Sequence, residues 1–115
     1  MNALTHDTFS HQDYLSIFHE TWNRCEELGK LKGGEYAGDY DRLANFRRGA
    51  ANLDLPMEVI WYVYCSKHWD AITQYVKDVT TNTERTRLEP IEGRIDDIIV
   101  YLILLKCMVR ERSTS

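Results

Sequence analysis

The stretch PMEVIWYVYCSKHWDAITQYVKD, residues 56–78, carries the longest helical pattern in the chain. At 100° per residue its apolar side chains fall on one broad face, and His68 lies in the middle of that face. Polar side chains take the opposite side, where Lys67 and Asp70 are neighbours at i, i+3. The stretch therefore predicts a packed helix with an ionisable residue among its apolar side chains.

Length and composition predict one globular domain, residues 1–115, with 43% hydrophobic and 28% charged residues. The net charge of −4 disfavours duplex DNA as a partner, because a broad grip on nucleic acid needs a basic face. Three cysteines without CxxC spacing predict free thiols in a reducing cytosol. The longest apolar run, 98–105, is too short to span a bilayer, which predicts no membrane association.

The N-terminal part predicts one helix after a loose lead-in at 1–9. Ser10 and Asp13 have the spacing of a capping box, in which each side chain bonds to the other residue's backbone N–H. The helix should end near Gly29 or Lys30, because glycines follow.

Three further helices are predicted in the rest of the chain. Asp41 can cap a short helix over 42–53. Pro56 and Pro90 should each occupy the first position of a long helix, where the missing N–H costs nothing. The last helix should give way to a frayed tail at 113–115. The expected fold is all-α, a four-helix up-and-down bundle.

The polar run 79–89 predicts a long surface connection before the last helix, which serves either as a passive loop or as a lid or partner-binding segment. Beyond Ile98 the last helix is apolar almost all round. It is therefore expected either to be the central helix or to form a subunit interface with its far side.

Two helices each present a basic residue three positions before an aspartate, Lys67 with Asp70 and Arg94 with Asp97. If the two long helices pack antiparallel, these groups can converge on a phosphate or on a magnesium ion shared with one. The alternative interpretation is an exposed helix pair and a structural ion pair.

His68 occupies a position where an apolar residue is usual. It is interpreted either as a core histidine, hydrogen-bonded by Glu35, Asp97 or Tyr101, or as a ligand-contacting, proton-transferring group. The glycine-rich loop that contains Glu35 also offers Tyr36 for stacking on a base. The sequence has no Walker loop, GxGxxG, GxSxG or HExxH motif.

Three blocks, GGEYAGDYDRLANF (33–46), SKHWDAI (66–72) and GRIDDIIVYLILLK (93–106), together resemble a group of small all-helical proteins of phages and prophages. The chain is similar also to the nucleotide-modification-associated helical domain. The resemblance implies a cytoplasmic setting in a phage-infected or lysogenic bacterial cell and a link with nucleotides. It carries over the following positions: Glu35, Tyr36, Asn45, Lys67, His68, Arg94, Asp97 and Tyr101.

The chain departs from the all-helical nucleotide pyrophosphohydrolases, which hold magnesium with paired E-x-x-E and E-x-x-D motifs. The equivalents here are K-x-x-D at 67–70 and R-x-x-D at 94–97. Fewer carboxylates weaken the case for a metal and for hydrolysis, so phosphate capture without turnover is an equal expectation.

The first hypothesis is therefore a protein that binds a phosphorylated nucleotide or nucleotide-derived signal, with or without magnesium-dependent hydrolysis. Its residues are His68 and Asp97 for catalysis, Lys67, Arg94, Tyr36, Asn45 and Tyr101 for the ligand and its phosphate, and Glu35, Asp70 and Asp97 for Mg²⁺.

The alternative is a counter-defence or host-takeover inhibitor that binds a host or defence protein through 79–89 and Trp69. A third hypothesis is a homo-oligomer assembled through the last helix.

Overall fold

The computed structural model describes residues 8–32 and 41–114, which form four α-helices and no strand. The helices are α1 (His11–Lys32), α2 (Ala44–Leu53), α3 (Met57–Thr80) and α4 (Ile91–Ser113). The prediction of an all-α fold is confirmed. Among the described residues, none of the helices has the combination of length and hydrophobicity needed to cross a bilayer.

The start of α1 has the capping box that the sequence predicts. The Asp13 N–H donates to Ser10 Oγ, and the Ser10 N–H donates to Asp13 Oδ2, both at 3.0 Å. Helix α1 ends at Lys32, two residues beyond Lys30, the later of the two predicted end positions. An exposed i, i+4 ion pair joins Glu26 and Lys30 near this end.

The later helices begin slightly after their predicted starts. Asp41 does act at the start of α2, since its Oδ1 accepts the Leu43 N–H at 2.9 Å, but the helix begins at Ala44. Pro56 and Pro90 precede the first helical residue rather than occupying it. Their ψ angles of 145° and 147° are extended, so each proline is the N-cap residue. Its carbonyl accepts a hydrogen bond from the first turn, from the N–H of Val59 at 3.0 Å and of Arg94 at 3.2 Å.

The last helix extends one residue into the predicted tail at 113–115, and fraying of this tail stays a prediction. Ser113 is the last residue of α4, and its hydroxyl donates to the Val109 carbonyl at 2.9 Å.

The pairing of α3 with α4 forms the centre of the fold. Glu58 forms an ion pair with Arg112, and the Trp61 indole donates to the Tyr101 carbonyl at 2.6 Å. Further along α3, His68 contacts Arg94. As residue numbers rise along α3 they fall along α4, so the two helices run antiparallel.

The short helix α2 covers one side of the α3–α4 pair. Its Phe46 ring lies 5.9 Å from that of Tyr64 on α3 and 6.4 Å from that of Tyr101 on α4. A Cβ atom at Gly49 would stand 3.1 Å from Ile60 Cγ2, so the close approach of α2 to α3 depends on this glycine. The buried cluster comprises Leu43, Phe46, Met57, Ile60, Trp61, Cys65, Ile98 and Met108.

Helix α1 contacts α4 near its own C-terminal half. Arg24 Nε lies 3.1 Å from the buried Asp96 carboxylate, and Cys25 is buried beside the same residue. Earlier residues on the same line of the helix, such as Tyr14 and Phe18, remain about half exposed. The up-and-down order of all four helices stays a prediction, because 33–40, between α1 and α2, lies outside the described residues.

The connection 81–90 is fastened to the end of α3 by a buried carboxylate. Asp78 accepts hydrogen bonds from Arg85 at 2.7 and 3.0 Å, from Arg87 at 2.8 Å and from Gln74 at 2.9 Å. These bonds, with those from Arg85 contributing most, lower the pKa of Asp78 to about 2. Charge-assisted hydrogen bonds, rather than apolar packing, therefore hold this polar segment to the end of α3.

Replacing Asp78 with asparagine should lower the melting temperature at pH 7 by several degrees, because four donors from three residues lose a charged acceptor. The unfolded carboxyl titrates near pH ~3.9, so the stabilisation by Asp78 is complete above about pH 4 and is lost as pH falls toward 2. Melting temperatures of both proteins between pH 2 and 7 should therefore converge at the acid end. A constant difference across this range would contradict the assignment.

Candidate ligand-binding recess

A cavity of about 420 Å³ opens between α2, α3 and α4. We refer to it as the recess. Its volume lies within the range of small-molecule sites, ~300 to 1,000 Å³. The lining side chains are those of Arg42, Asn45, Phe46, Val63, Tyr64, Lys67, His68, Asp97, Val100, Tyr101 and Leu104.

Two cationic side chains, Arg42 and Lys67, stand at the wall of the recess. Neither forms an ion pair with any residue that the structure describes. Asn45 adds an amide, whose oxygen accepts a hydrogen bond from Arg48 at 3.1 Å. The recess therefore offers positive charge and hydrogen-bonding groups to an anionic ligand.

Aromatic rings form the other part of the wall. Tyr64 from α3 and Tyr101 from α4 flank Phe46 from α2 at centroid distances of 5.9 and 6.4 Å. Tyr64 is 43% exposed, so its ring has a surface that a ligand can reach. Rings of this kind provide flat apolar surfaces on which a planar ligand group can stack.

His68 is buried at the base of the recess, at the contact between α3 and α4. Its Nδ1 lies 3.1 Å from Arg94 Nη1 and 3.7 Å from Asp97 Oδ2. Only the first distance is within hydrogen-bonding range, and an arginine can only donate. Nδ1 therefore acts as the acceptor, which places the imidazole proton on Nε2.

The structure brings five of the predicted site residues to the recess, namely Asn45, Lys67, His68, Asp97 and Tyr101. Arg94 does not line it but lies behind His68, with Glu89 3.5 Å from its guanidinium.

Asp70 is exposed and does not line the recess, because two residues along a helix turn it 200° away from His68. The predicted Glu35 and Tyr36 lie outside the described residues.

Six of the eleven lining residues were not among the predicted site residues, and two of these six, Arg42 and Tyr64, offer a group to a ligand. Arg42 belongs to a small basic cluster with Arg47 and Arg48, which in the sequence does not indicate a site. Tyr64 falls on the apolar face of α3, where the sequence pattern does not distinguish it from a core residue. Its position just before α2, next to the glycine-rich loop of the sequence, is the signal that could have identified Arg42.

A magnesium site receives limited support from the carboxylates. Among the described residues no group of three His, Cys, Asp or Glu side chains is placed to hold a metal ion. Asp97 is the carboxylate among the residues that line the recess, and Asp70 points elsewhere. The Mg²⁺ prediction therefore depends on Glu35.

A second cavity, of about 260 Å³, lies between α1 and α4. Its wall is mainly apolar and includes Trp22, Cys25 and Ile103, while Arg42 borders both cavities. Burial raises the pKa of the Cys25 thiol, with Asp96 as the next contributor, so this cysteine stays a neutral apolar group.

Comparisons of the chain with protein-family models, with curated proteins and with solved structures gave no match.

The contact between Arg94 and His68 makes a direct prediction about the imidazole. At pH 7.5, ¹⁵N NMR should find the His68 proton on Nε2 and an unprotonated Nδ1. Replacing Arg94 with methionine removes the donor and should shift the Nδ1 resonance, whereas Arg110→Met, on the same helix but distant from His68, should leave it unchanged. A proton on Nδ1 in the unmodified protein would contradict the hydrogen-bond assignment.

Proposed function

We propose that the recess binds a phosphorylated nucleotide or nucleotide-derived signal. The observation that supports this most is that one cavity combines two cations, Arg42 and Lys67, with exposed aromatic surface. A nucleotide has matching parts, because its phosphates need cationic donors and its base needs a flat apolar wall. The resemblance to small all-helical proteins of phages and prophages supports a cytoplasmic setting in a phage-infected or lysogenic bacterial cell.

The phosphate end of the ligand is assigned to Arg42 and Lys67. Arginine presents a planar fork of donors that matches two phosphate oxygens, and lysine adds a mobile point charge. Since neither is neutralised by a described carboxylate, their charge is available to an incoming anion. Arg94 has another role in this proposal, because its guanidinium already contacts His68 and Glu89.

The base is assigned to the aromatic side of the recess. Tyr64 and Tyr101 supply ring surface, and the amide of Asn45 can hydrogen-bond to a base edge. Asp97 and His68 line the buried end of the recess. In this arrangement the phosphates of the ligand contact the cationic side chains, and its base stacks on the tyrosine rings.

Binding without turnover fits this set of residues better than hydrolysis. His68 Nδ1 is occupied by a donor, so the imidazole is not arranged as a general base through that atom. Asp97 is the lining carboxylate, whereas Mg²⁺ in such sites commonly draws on several oxygens. Magnesium-dependent hydrolysis remains a prediction that requires Glu35 to approach Asp97.

Calorimetric titration with nucleoside mono-, di- and triphosphates and with cyclic oligonucleotides, each with and without MgCl₂, tests the proposal. At least one phosphorylated ligand should bind, and Lys67→Met and Arg42→Met should each weaken it by roughly tenfold or more. Tyr64→Ala should weaken a nucleotide but not inorganic phosphate. Release of phosphate in the same samples reports on turnover.

Lys77→Met is the matched control, because this exposed lysine is on α3 but does not line the recess. It should bind as tightly as the unmodified protein. The proposal fails if no phosphorylated nucleotide binds, or if Lys67→Met and Lys77→Met have equal effects.

A second candidate function, inhibition of a host or defence protein, is favoured by one observation in the connection 81–90. Leu88 is fully exposed there, while Arg85 and Arg87 fasten the segment to Asp78. An apolar side chain held outward on a fixed segment is available to pack against a partner protein. If this function is correct, Leu88→Glu should abolish capture of one dominant bacterial protein. Undiminished capture would contradict a role for this segment.

A further inference from the structure

The α3–α4 pair has an apolar side that no described element covers, which we call the outer face. Its members repeat every seven residues on each helix and expose between 43% and 67% of their surface. They are Tyr62, Trp69 and Val76 on α3 and Ile95, Leu102 and Val109 on α4. This seven-residue repeat is the spacing with which helices pack along a shared seam.

The outer-face residues of α3 and those of α4 lie on the same side of the α3–α4 pair, away from α2. Tyr62 is two residues from both Ile60 and Tyr64, which contact α2, and two residues along a helix correspond to a turn of 200°. Leu102 is likewise two residues from Leu104, which lines the recess. The outer face and the recess therefore open in opposite directions.

The outer face is large for a single chain. Its six side chains expose on the order of 600 Å², the upper end for the largest patch of a typical monomer and close to the ~800 Å² that one partner contributes to a stable interface. The neighbouring Leu55 and Val59 are also at least 40% exposed. The radius of gyration, 17.1 Å, exceeds the ~13 Å expected for a compact domain of this length.

The pattern along α4 indicates which partner fits. Ile95 and Val109 stand at equal distances on either side of Leu102. Glu92 lies near one end of this stripe and Arg110 near the other, and neither forms an ion pair with a described residue. The α4 part of this surface complements a reversed copy of itself, because Leu102 then meets Leu102 and Ile95 meets Val109. Glu92 and Arg110 carry opposite charges and come within two residues of each other in this register.

We propose that the outer face binds a second copy of this chain, with the two α4 helices crossing antiparallel at Leu102. Ile95 then packs against Val109 of the other copy, and Glu92 approaches its Arg110. Tyr62 lies at the same level as Leu102, because the Trp61 indole bonds the Tyr101 carbonyl, so the two α3 helices meet at Tyr62. The α3–α4 pairs of the two copies then form a four-helix bundle, and the recess of each copy stays open.

Light scattering coupled to size-exclusion chromatography tests the dimer from low micromolar concentrations upward. The expected mass is twice the 13.5 kDa of the single chain. Leu102→Lys should weaken the dimer by roughly tenfold or more, since it places two lysines at the crossing point. Circular dichroism should show unchanged helicity, because residue 102 is 44% exposed in the single chain.

Phe18→Lys is the matched control for the mass measurement, because Phe18 is 50% exposed but belongs to α1. It should leave the dimer intact. A 13.5 kDa species at every concentration overturns the proposal. So does a dimer that survives Leu102→Lys, or one that dissociates with Phe18→Lys instead.

A charge exchange tests the antiparallel crossing itself. Glu92→Arg and Arg110→Glu should each weaken the dimer, because each places like charges opposite one another. The double variant should restore the affinity, since it exchanges the two partners of each pair. Single variants that weaken the dimer without restoration in the double variant would overturn the crossing at Leu102. Nucleotide affinity should be unaffected in all of them, which separates this proposal from the proposed ligand site.

Discussion

The structure depends on how a polar group is accommodated at the contact between α3 and α4. His68 is 3% exposed and has Arg94 at 3.1 Å and Asp97 at 3.7 Å, both from the opposite helix. A buried imidazole without partners would cost roughly 1 to 3 kcal/mol, so these contacts fix the register of the two helices. The surrounding apolar contacts and the hydrogen bond from the Trp61 indole to the Tyr101 carbonyl are made in the same register.

The recess follows from the same register. With His68 opposite Asp97, Lys67 and Tyr101 come to the side on which α2 packs, and α2 adds Asn45. The site is thus formed by three helices, and it does not require any of them to bend. Its polar groups are carried on helices held by a buried core, which fixes their positions relative to one another.

Much of the fold could be predicted from the sequence because the signals are local. The reciprocal bonds of Ser10 and Asp13 and the four helical periodicities need no tertiary information. The errors are also local in origin. A glycine at position 29 can either end a helix or lie within it, and proline fixes φ but not ψ, so the starts at Met57 and Ile91 were each placed one residue early.

The site was predictable only in part, because neighbours within one helix do not determine what the next helix brings. His68 and Lys67 were selected from the pattern on α3, and Asp97 from that on α4. Arg42 and Tyr64 were missed because basic clusters and apolar tyrosines are common on helices. Asp70 was included because its i, i+3 spacing from Lys67 suggests that the two side chains share one face of α3. Lys67 lines the recess, but Asp70 does not.

The most direct test of the recess as a nucleotide site is an NMR titration of the ¹⁵N-labelled protein with the best-bound ligand. Saturable shifts are expected at the Asn45 side-chain amide and at the Trp61 indole, which bonds the backbone of the recess residue Tyr101. The indole of Trp69, on the outer face, should remain unchanged. Shifts confined to Trp69, or no saturable shifts, would contradict the account.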